Sequence, residues 1–186
     1  SRTKRFLHNL LTKDKDCFMR SLLKEAVSKK ALLVWGVAAT VLILDWFTKA
    51  YAVSKLRAEK VVVIPQFFDL VYVENKGAAW GMLGGLPAMV RIPFFVLVSI
   101  IAVTTIIYLV KKAEDDQVFL LLTLGMVLGG AIGNLIDRSY IFFSIPYRGV
   151  IDFIDIGAGN FRWYTFNIAD SAVTIGVMLY LLHSLF

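Results

Sequence analysis

The segment Ala31–Val53, ALLVWGVAATVLILDWFTKAYAV, decides the fold class of this chain. It is apolar except for Thr40, Asp45, Thr48 and Lys49. A helix that crosses a bilayer needs about 20 mainly apolar residues. The segment therefore predicts a transmembrane helix that carries two ionisable side chains.

Three further segments have the same character, namely Met89–Val110, Val118–Ile136 and Tyr164–Phe186. The whole composition agrees, because 58% of the 186 residues are hydrophobic and only 18% are charged. An average soluble domain is roughly 45–50% apolar, and a chain this short could not bury the excess in a soluble core. We predict a membrane all-α protein with four transmembrane helices.

The distribution of Lys and Arg predicts the orientation. Nine of them precede the first span and two lie between the second and third spans, whereas the two longer connections hold four and three. Cytoplasmic segments are enriched in these residues, so both termini are expected in the cytoplasm. Residues 1–30 then form a basic tail and residues 31–186 a single membrane domain. On this interpretation the net charge of +6 is an orientation signal, and no nucleic-acid partner is expected.

The first outward connection contains strand signals. Lys60–Glu74, KVVVIPQFFDLVYVE, has β-branched and aromatic runs that are broken at Pro65, a pattern typical of short strands. We predict a small extracytoplasmic β-sheet within residues 54–88.

Polar side chains of the predicted spans converge on one depth. Asp45 lies about 21 Å along the first helix, near its outer end. Because successive spans alternate in direction, the other polar positions of the spans and of the last connection fall at the same outer level: Asn134, Asp137, Arg138, Asp152, Asp155, Asn167 and Asp170. Ionisable residues inside spans are costly and are functional candidates.

The residue types limit the chemistry of such a site. A single cysteine and two histidines at opposite ends of the chain argue against a zinc site or a Ser-His-Asp triad, and no metal or cofactor is expected. Two aspartates held close together share a proton, so that one activates water while the other donates to a carbonyl oxygen. The spacing favours Asp170 with either Asp152 or Asp155 and does not choose between them.

Two features also have purely structural interpretations. Asp45 and Lys49 are four residues apart and share a helix face, so they can form a buried ion pair. Gly125, Gly129 and Gly133 recur every four residues, a stripe that allows close helix packing.

Five motifs follow one another along the chain: Asp45-Trp46-Phe47-Thr48-Lys49, Asn75-Lys76-Gly77-Ala78-Ala79-Trp80-Gly81, GGAIGNLIDR at 129–138, Gly149-Val150-Ile151-Asp152-Phe153 and Phe166-Asn167-Ile168-Ala169-Asp170-Ser171. Through these motifs, in this order, the chain resembles the lipoprotein signal peptidase (signal peptidase II) family.

The resemblance implies a membrane aspartic endopeptidase with Asp152 and Asp170 as its catalytic dyad, and it makes Asp155 a structural or rim residue. The other matching positions are expected to shape the site or hold substrate: Asp45, Lys49, Asn75, Gly77, Asn134, Arg138, Asn167 and Ala169. The implied substrate is a diacylglyceryl-modified prolipoprotein cut before its lipidated cysteine. The implied location is the bacterial inner membrane, among membrane lipids, with the site near the outer face. Globomycin-type inhibitors are expected to bind there, and a monomer is expected.

Two other classes of membrane protein compete with this interpretation. A proton-coupled carrier would place charges at the midplane or along a path and would show repeat symmetry, and neither is visible in the sequence. In a structural subunit the polar groups would only join helices, which does not require five family motifs.

Overall fold

The computed structural model describes residues 29–77, 83, 85–140, 149–159 and 161–185. The helices are α1 (Lys29–Tyr51), which continues as a π-helical segment (Ala52–Leu56), α2 (Ala88–Lys112), α3 (Val118–Ser139) and α4 (Ile168–Ser184). The strands are β1 (Val61–Ile64), β2 (Phe68–Asn75), β3 (Val150–Ala158) and β4 (Phe161–Arg162). Most of the predicted basic tail (residues 1–28) and the end of the second motif (residues 78–81) lie outside the described residues.

Among the described residues, three helices are long and apolar enough to cross a membrane: α1 with its π-helical extension, α2 and α3. They correspond to the first three predicted spans. The fourth helix is apolar but has only 17 residues. It begins at Ile168, four residues later than Tyr164, because Asn167 is extended and caps the helix. A fourth crossing and the side of the termini remain predictions.

Glycines on α3 set the distances between the helices. A Cβ added at Gly125 would lie 2.9 Å from the carbonyl oxygen of Val34, and one at Gly129 would lie 2.8 Å from that of Ala38. Within lipid, helices gain little from hydrophobic burial and associate through close packing. The glycine stripe therefore brings α1 against α3, which confirms its predicted packing role.

Two apolar clusters surround this contact. The first joins α1, α2 and α3 through buried side chains, among them Val34, Ile106, Leu121 and Leu128. The second contains Ala52, Leu56, Ile151 and Phe153 and attaches the end of the first helix to the sheet. The sheet is thus fixed to one end of the helix bundle.

The four strands form one antiparallel sheet in the order β1-β2-β3-β4. The strands predicted within residues 54–88 are present as β1 and β2, whereas β3 and β4 come from the connection between α3 and α4. Val73 lies opposite Asp152 across β2 and β3. The carbonyl oxygen of Phe166 accepts hydrogen bonds from the N–H groups of Phe153 and Ile154. This join places the start of α4 directly beside β3.

Gly130→Ala tests the close packing of α3 on α4. A Cβ there would overlap the carbonyl oxygen of Ala169 and would lie 2.7 Å from Val173 Cγ2. We expect a loss of about 1–3 kcal/mol of stability, seen as a lower melting temperature of the detergent-solubilised protein. Gly36→Ala is the matched control, because nothing lies within 4 Å of the added atom. Equal melting temperatures for the two variants would contradict the packing.

Candidate active site

The ammonium group of Lys49 is buried between α1 and α3. Its Nζ lies 2.7 Å from Asp45 Oδ2 and 2.8 Å from Asp137 Oδ2, and all three side chains are buried. The first pair is the ion pair that the four-residue spacing predicts. Removing one member of a buried charge pair costs about 3–5 kcal/mol because it leaves an uncompensated charge. The cluster therefore fixes α1 to α3 at this level.

Asp137 is among the polar residues predicted at the common outer level, but it is not among the predicted site residues. It follows Asn134 by three residues, so the two side chains share one face of α3. This spacing is the signal that could have identified it.

Side chains fix the first turn of α4, where the leading N–H groups of a helix lack intrahelical partners. Asn167 Oδ1 accepts a hydrogen bond from the N–H of Asp170 (2.9 Å), and Asp170 Oδ2 accepts one from the N–H of Asn167 (3.3 Å). This reciprocal pair is a capping box. Asp45 binds Lys49 through Oδ2, and its other carboxylate oxygen, Oδ1, accepts a hydrogen bond from the N–H of Ala169 at 2.9 Å. The charged cluster and the helix start are thus directly connected.

Asp152 lies on β3 and is only 1% exposed. Asn75 Nδ2 donates to its Oδ2 at 2.8 Å, and Asn167 Nδ2 donates to its Oδ1 at 2.7 Å. The N–H of Gly77 donates to Asn75 Oδ1 at 3.0 Å, which orients the amide of Asn75 toward the carboxyl group. Asp152 is therefore held between β2 and the cap of α4.

Asn134 joins the charged cluster to both aspartates. Its Oδ1 accepts hydrogen bonds from Lys49 Nζ and from Asn167 Nδ2, each at 3.2 Å. Its Nδ2 donates to Asp170 Oδ1 at 2.7 Å. The side chain has one orientation that satisfies all three contacts, because Lys49 can only donate and a carboxylate can only accept.

Burial raises the pKa of Asp152 to about 7, and the nearby charge of Asp170 contributes to the rise. The amide groups of Asn75 and Asn167 oppose it by donating to the carboxylate. A carboxyl group whose pKa is near neutrality can hold or release a proton under physiological conditions, as acid–base chemistry requires.

The structure brings five of the predicted site residues into one hydrogen-bonded group: Asn75, Asn134, Asp152, Asn167 and Asp170. The remaining predicted residues surround it. Lys49 donates a hydrogen bond to Asn134, and the N–H of Ala169 donates one to Asp45. Arg138 lies 5.3 Å from the ring centre of Phe95 and donates to the carbonyl oxygen of Asn134.

Asp155, the alternative to Asp152 in the sequence, lies elsewhere on the sheet. Its Oδ2 is 2.8 Å from Arg162 Nη2, and Asp69 of β2 joins the same ion-pair group. Asp155 therefore forms a salt bridge between strands, with its carboxylate already paired.

The sequence model of the protein family described as signal peptidase (SPase) II matches residues 37–186. The chain belongs to the signal peptidase II family. Every side chain of the hydrogen-bonded group lies within the matched range.

Curated relatives of this chain support the family assignment over most of its length. The lipoprotein signal peptidase of Syntrophus aciditrophicus is 41% identical over 152 residues, which cover 81% of this chain and 91% of that protein. The lipoprotein signal peptidase of Maridesulfovibrio salexigens is 43% identical over 148 residues, covering 79% and 91%. The chain is therefore a protease that removes signal peptides from prolipoproteins.

Two solved structures, each described as a bacterial membrane enzyme determined by the in meso method, share the fold. Their TM-scores are 0.68 and 0.64 at 33% identity, and the matches cover 80% of this chain and 85% and 90% of theirs. Together with the three long apolar helices, they identify the chain as a multi-pass membrane protein.

Asp152→Asn tests the environment of this carboxyl group through stability. The ordinary carboxyl pKa is 3.8, and the pKa of Asp152 in the folded protein is about 7. Between these pH values the folded state keeps a proton that the unfolded state has released. The resulting stabilisation is complete below about pH 4 and is lost as the pH rises through 7. The variant lacks this titrating group and therefore this loss of stability. Its melting temperature should fall less between pH 5 and pH 8 than that of the wild type.

Asp155→Asn serves as the control for this measurement, because that carboxylate is paired with Arg162. If the melting temperatures of Asp152→Asn and wild type differ by the same amount at pH 5 and at pH 8, the environment assigned to Asp152 is wrong.

Proposed function

We propose that this protease is an aspartic endopeptidase whose catalytic dyad is Asp152 and Asp170. The observation that carries the proposal is the position of Asn167, which donates one hydrogen bond to Asp152 Oδ1 and shares the capping box with Asp170. Asn167 thus contacts both carboxyl groups, that of Asp152 through its side-chain amide and that of Asp170 through its backbone N–H. Two such groups in a buried site share a proton.

Asp152 holds the shared proton at the start of the reaction, consistent with its pKa of about 7. Asp170 is at the third position of α4, where a helix N-terminus favours negative charge. The ionised Asp170 removes a proton from water, and the oxygen of that water attacks the scissile carbonyl carbon. Asp152 donates its proton to the carbonyl oxygen, which gives a neutral tetrahedral diol. Collapse of the diol breaks the C–N bond: Asp170 passes the proton that it took from water to the leaving nitrogen, and Asp152 regains a proton from one hydroxyl of the diol, which becomes the carbonyl oxygen of the product acid.

The substrate is a diacylglyceryl-modified prolipoprotein, cut before its lipidated cysteine. The dyad lies at the end of the bundle where α1 and α3 finish and α4 begins, while Lys111 and Lys112 end α2 at the opposite end. Basic residues favour the cytoplasmic side, so the dyad faces outward in the bacterial inner membrane. Acyl chains can then remain in the outer leaflet while the scissile bond reaches headgroup level.

Several further assignments belong to the same proposal. Residues 31–186 act as one membrane peptidase domain, with four crossings and both termini in the cytoplasm, and residues 1–30 as a basic tail. The protein works as a monomer among membrane lipids, without a cofactor, and globomycin-type inhibitors occupy the site. The remaining polar residues of the motifs, including Asn75, Asn134 and Arg138, orient the dyad or contact the substrate.

Asp152→Asn and Asp170→Asn should each lower the rate of prolipoprotein cleavage by at least about a thousandfold, because each removes an acid–base group. The measurement is the mobility shift of a lipidated prolipoprotein incubated with the purified enzyme, with and without globomycin. Asp155→Asn should retain cleavage, since its partner is Arg162. Full activity of either dyad variant would show that the dyad is assigned wrongly.

The pH dependence of cleavage tests the proton assignment separately. If Asp152 must carry the proton, the rate should fall as the pH rises through about 7, the pKa of that group. The measurement is kcat/KM for the lipidated substrate between pH 5 and pH 9, because the pH dependence of kcat/KM reports the pKa values of the free enzyme. A rate that keeps rising above neutral pH would contradict the role of Asp152 as the acid.

A further inference from the structure

Two pairs of side chains stand opposite each other where the sheet meets the active site. Val73 of β2 pairs with Asp152 of β3, and Asn75 pairs with Val150. Residues directly opposite each other in an antiparallel pair point to the same face of the sheet, with their Cβ atoms about 4.5–5.5 Å apart. Asn75 donates its hydrogen bond to Asp152 on that face. These four residues therefore form one surface, which we call the β2–β3 patch.

The members of the β2–β3 patch differ in how deeply they are buried. Asp152 is 1% exposed and Val150 is 3% exposed, and Asn75 is half-buried. The side chain of Val73, by contrast, is 38% exposed. Val73 therefore offers an accessible apolar surface directly beside the carboxyl group of Asp152, and a molecule that approaches this carboxyl group along the sheet meets it.

An irregularity in β2 ends the regular pairing at this point. From Val73 to Leu70, β2 covers three residue steps, while β3 covers two from Asp152 to Ile154. A bulge of this kind bends the strand and increases its local twist. The regular ladder beside the dyad thus ends with the pair of Val73 and Asp152, which fixes the position of the valine relative to the carboxyl group.

The lipid on the substrate sets the direction of the substrate's side chains. Under the proposed function, the acyl chains on the cysteine remain on the side of the dyad where the helices lie, and the sheet covers the opposite side. The segment to be cut is extended, because helical hydrogen bonds would engage its carbonyl oxygens. Successive side chains of an extended segment point to opposite sides. With the cysteine side chain toward the lipid, the side chain directly before it points toward the sheet.

We propose that Val73 determines which residue the enzyme accepts directly before the lipidated cysteine, a position that we call the preceding residue. Its side chain packs against Val73 on the β2–β3 patch. The two methyl groups of Val73 leave room for a small side chain and exclude a large one. This inference rests on the proposed function, because it assumes that the scissile bond lies at the dyad.

The test compares substrates that differ only at the preceding residue. One lipidated prolipoprotein is prepared with Gly, Ala, Val or Leu at this position, and kcat/KM is measured for each with wild type, Val73→Ala and Val73→Phe. The quantity compared is the ratio of kcat/KM for a substrate to kcat/KM for the Gly substrate. A general loss of activity or of folded enzyme cancels in this ratio, so a partly unfolded variant still gives a result.

The two variants should change the ratios in opposite directions. Val73→Ala should raise the ratio for the Leu substrate by at least about tenfold, because one methylene more or less in an apolar subsite changes discrimination by roughly 10–200-fold. Val73→Phe should lower the ratio for the Ala substrate by at least about tenfold, because its ring occupies the space that the substrate side chain needs.

Val62→Ala and Val62→Phe are the matched controls. Val62 is an exposed valine of the same sheet (51%), but its partner across the strands is Asp69 and not a residue of the dyad. Both control variants should leave every ratio within about twofold of wild type. A second control varies the substrate residue two positions before the cysteine, whose side chain points away from the sheet. The Val73 variants should not change selectivity at that position.

Unchanged ratios in both Val73 variants, or equal changes in the Val62 variants, would overturn the proposal. A change of selectivity two positions before the cysteine, in place of one at the preceding residue, would overturn it as well, since the opposite side of the extended segment would then face the sheet. Failure of the wild-type enzyme to cleave any of these substrates, or full activity of Asp152→Asn, would instead refute the proposed function.

Discussion

The buried ammonium group of Lys49 is the interaction on which the rest of the site depends. It holds the carboxylates of Asp45 and Asp137 together between α1 and α3, and it donates a hydrogen bond to Asn134. A charge inside a membrane bundle is tolerated only with such partners. Asn134 also contacts Asp170, and Asp45 also contacts the first turn of α4. The groups that compensate one charge therefore also fix the relative positions of three helices and one carboxylate.

Close packing makes that compensation possible. Gly133 lies beside the cluster, and an added Cβ would be 2.9 Å from Asp45 Oδ2. Gly125 and Gly129 continue the same face along α1. With little hydrophobic driving force between helices in lipid, short interhelical distances and buried polar contacts supply the specificity. The sheet completes the site from outside the bundle, because β3 carries Asp152 to the capped start of α4.

Much of this arrangement could be predicted. Apolar length gives the three long helices, and β-branched runs give β1 and β2. The alternating direction of the spans gives the common level of the polar residues. Hydropathy places the start of the fourth span at Tyr164, four residues before α4 begins, because the apolar residues from Tyr164 onward continue into the helix. The helix begins only after Asn167, which is extended and forms a capping box. The strands β3 and β4 were not predicted, since their pairing depends on β2, far away in the sequence.

The membrane class, the packing role of the glycines and, through five motifs, the family all follow from the amino-acid sequence without the structure. These depend on composition and local spacing, which are properties of the chain before it folds. The family resemblance names Asp152 rather than Asp155, but the contacts that distinguish the two carboxylates exist only in the tertiary structure. Asp152 and Asp155 are equivalent as residue types three positions apart, but one is buried against Asn75 and Asn167 while the other pairs with Arg162. Likewise, the partnership of Lys49 with Asp137 exists only because α1 and α3 pack together, and a contact over that sequence separation leaves no local pattern.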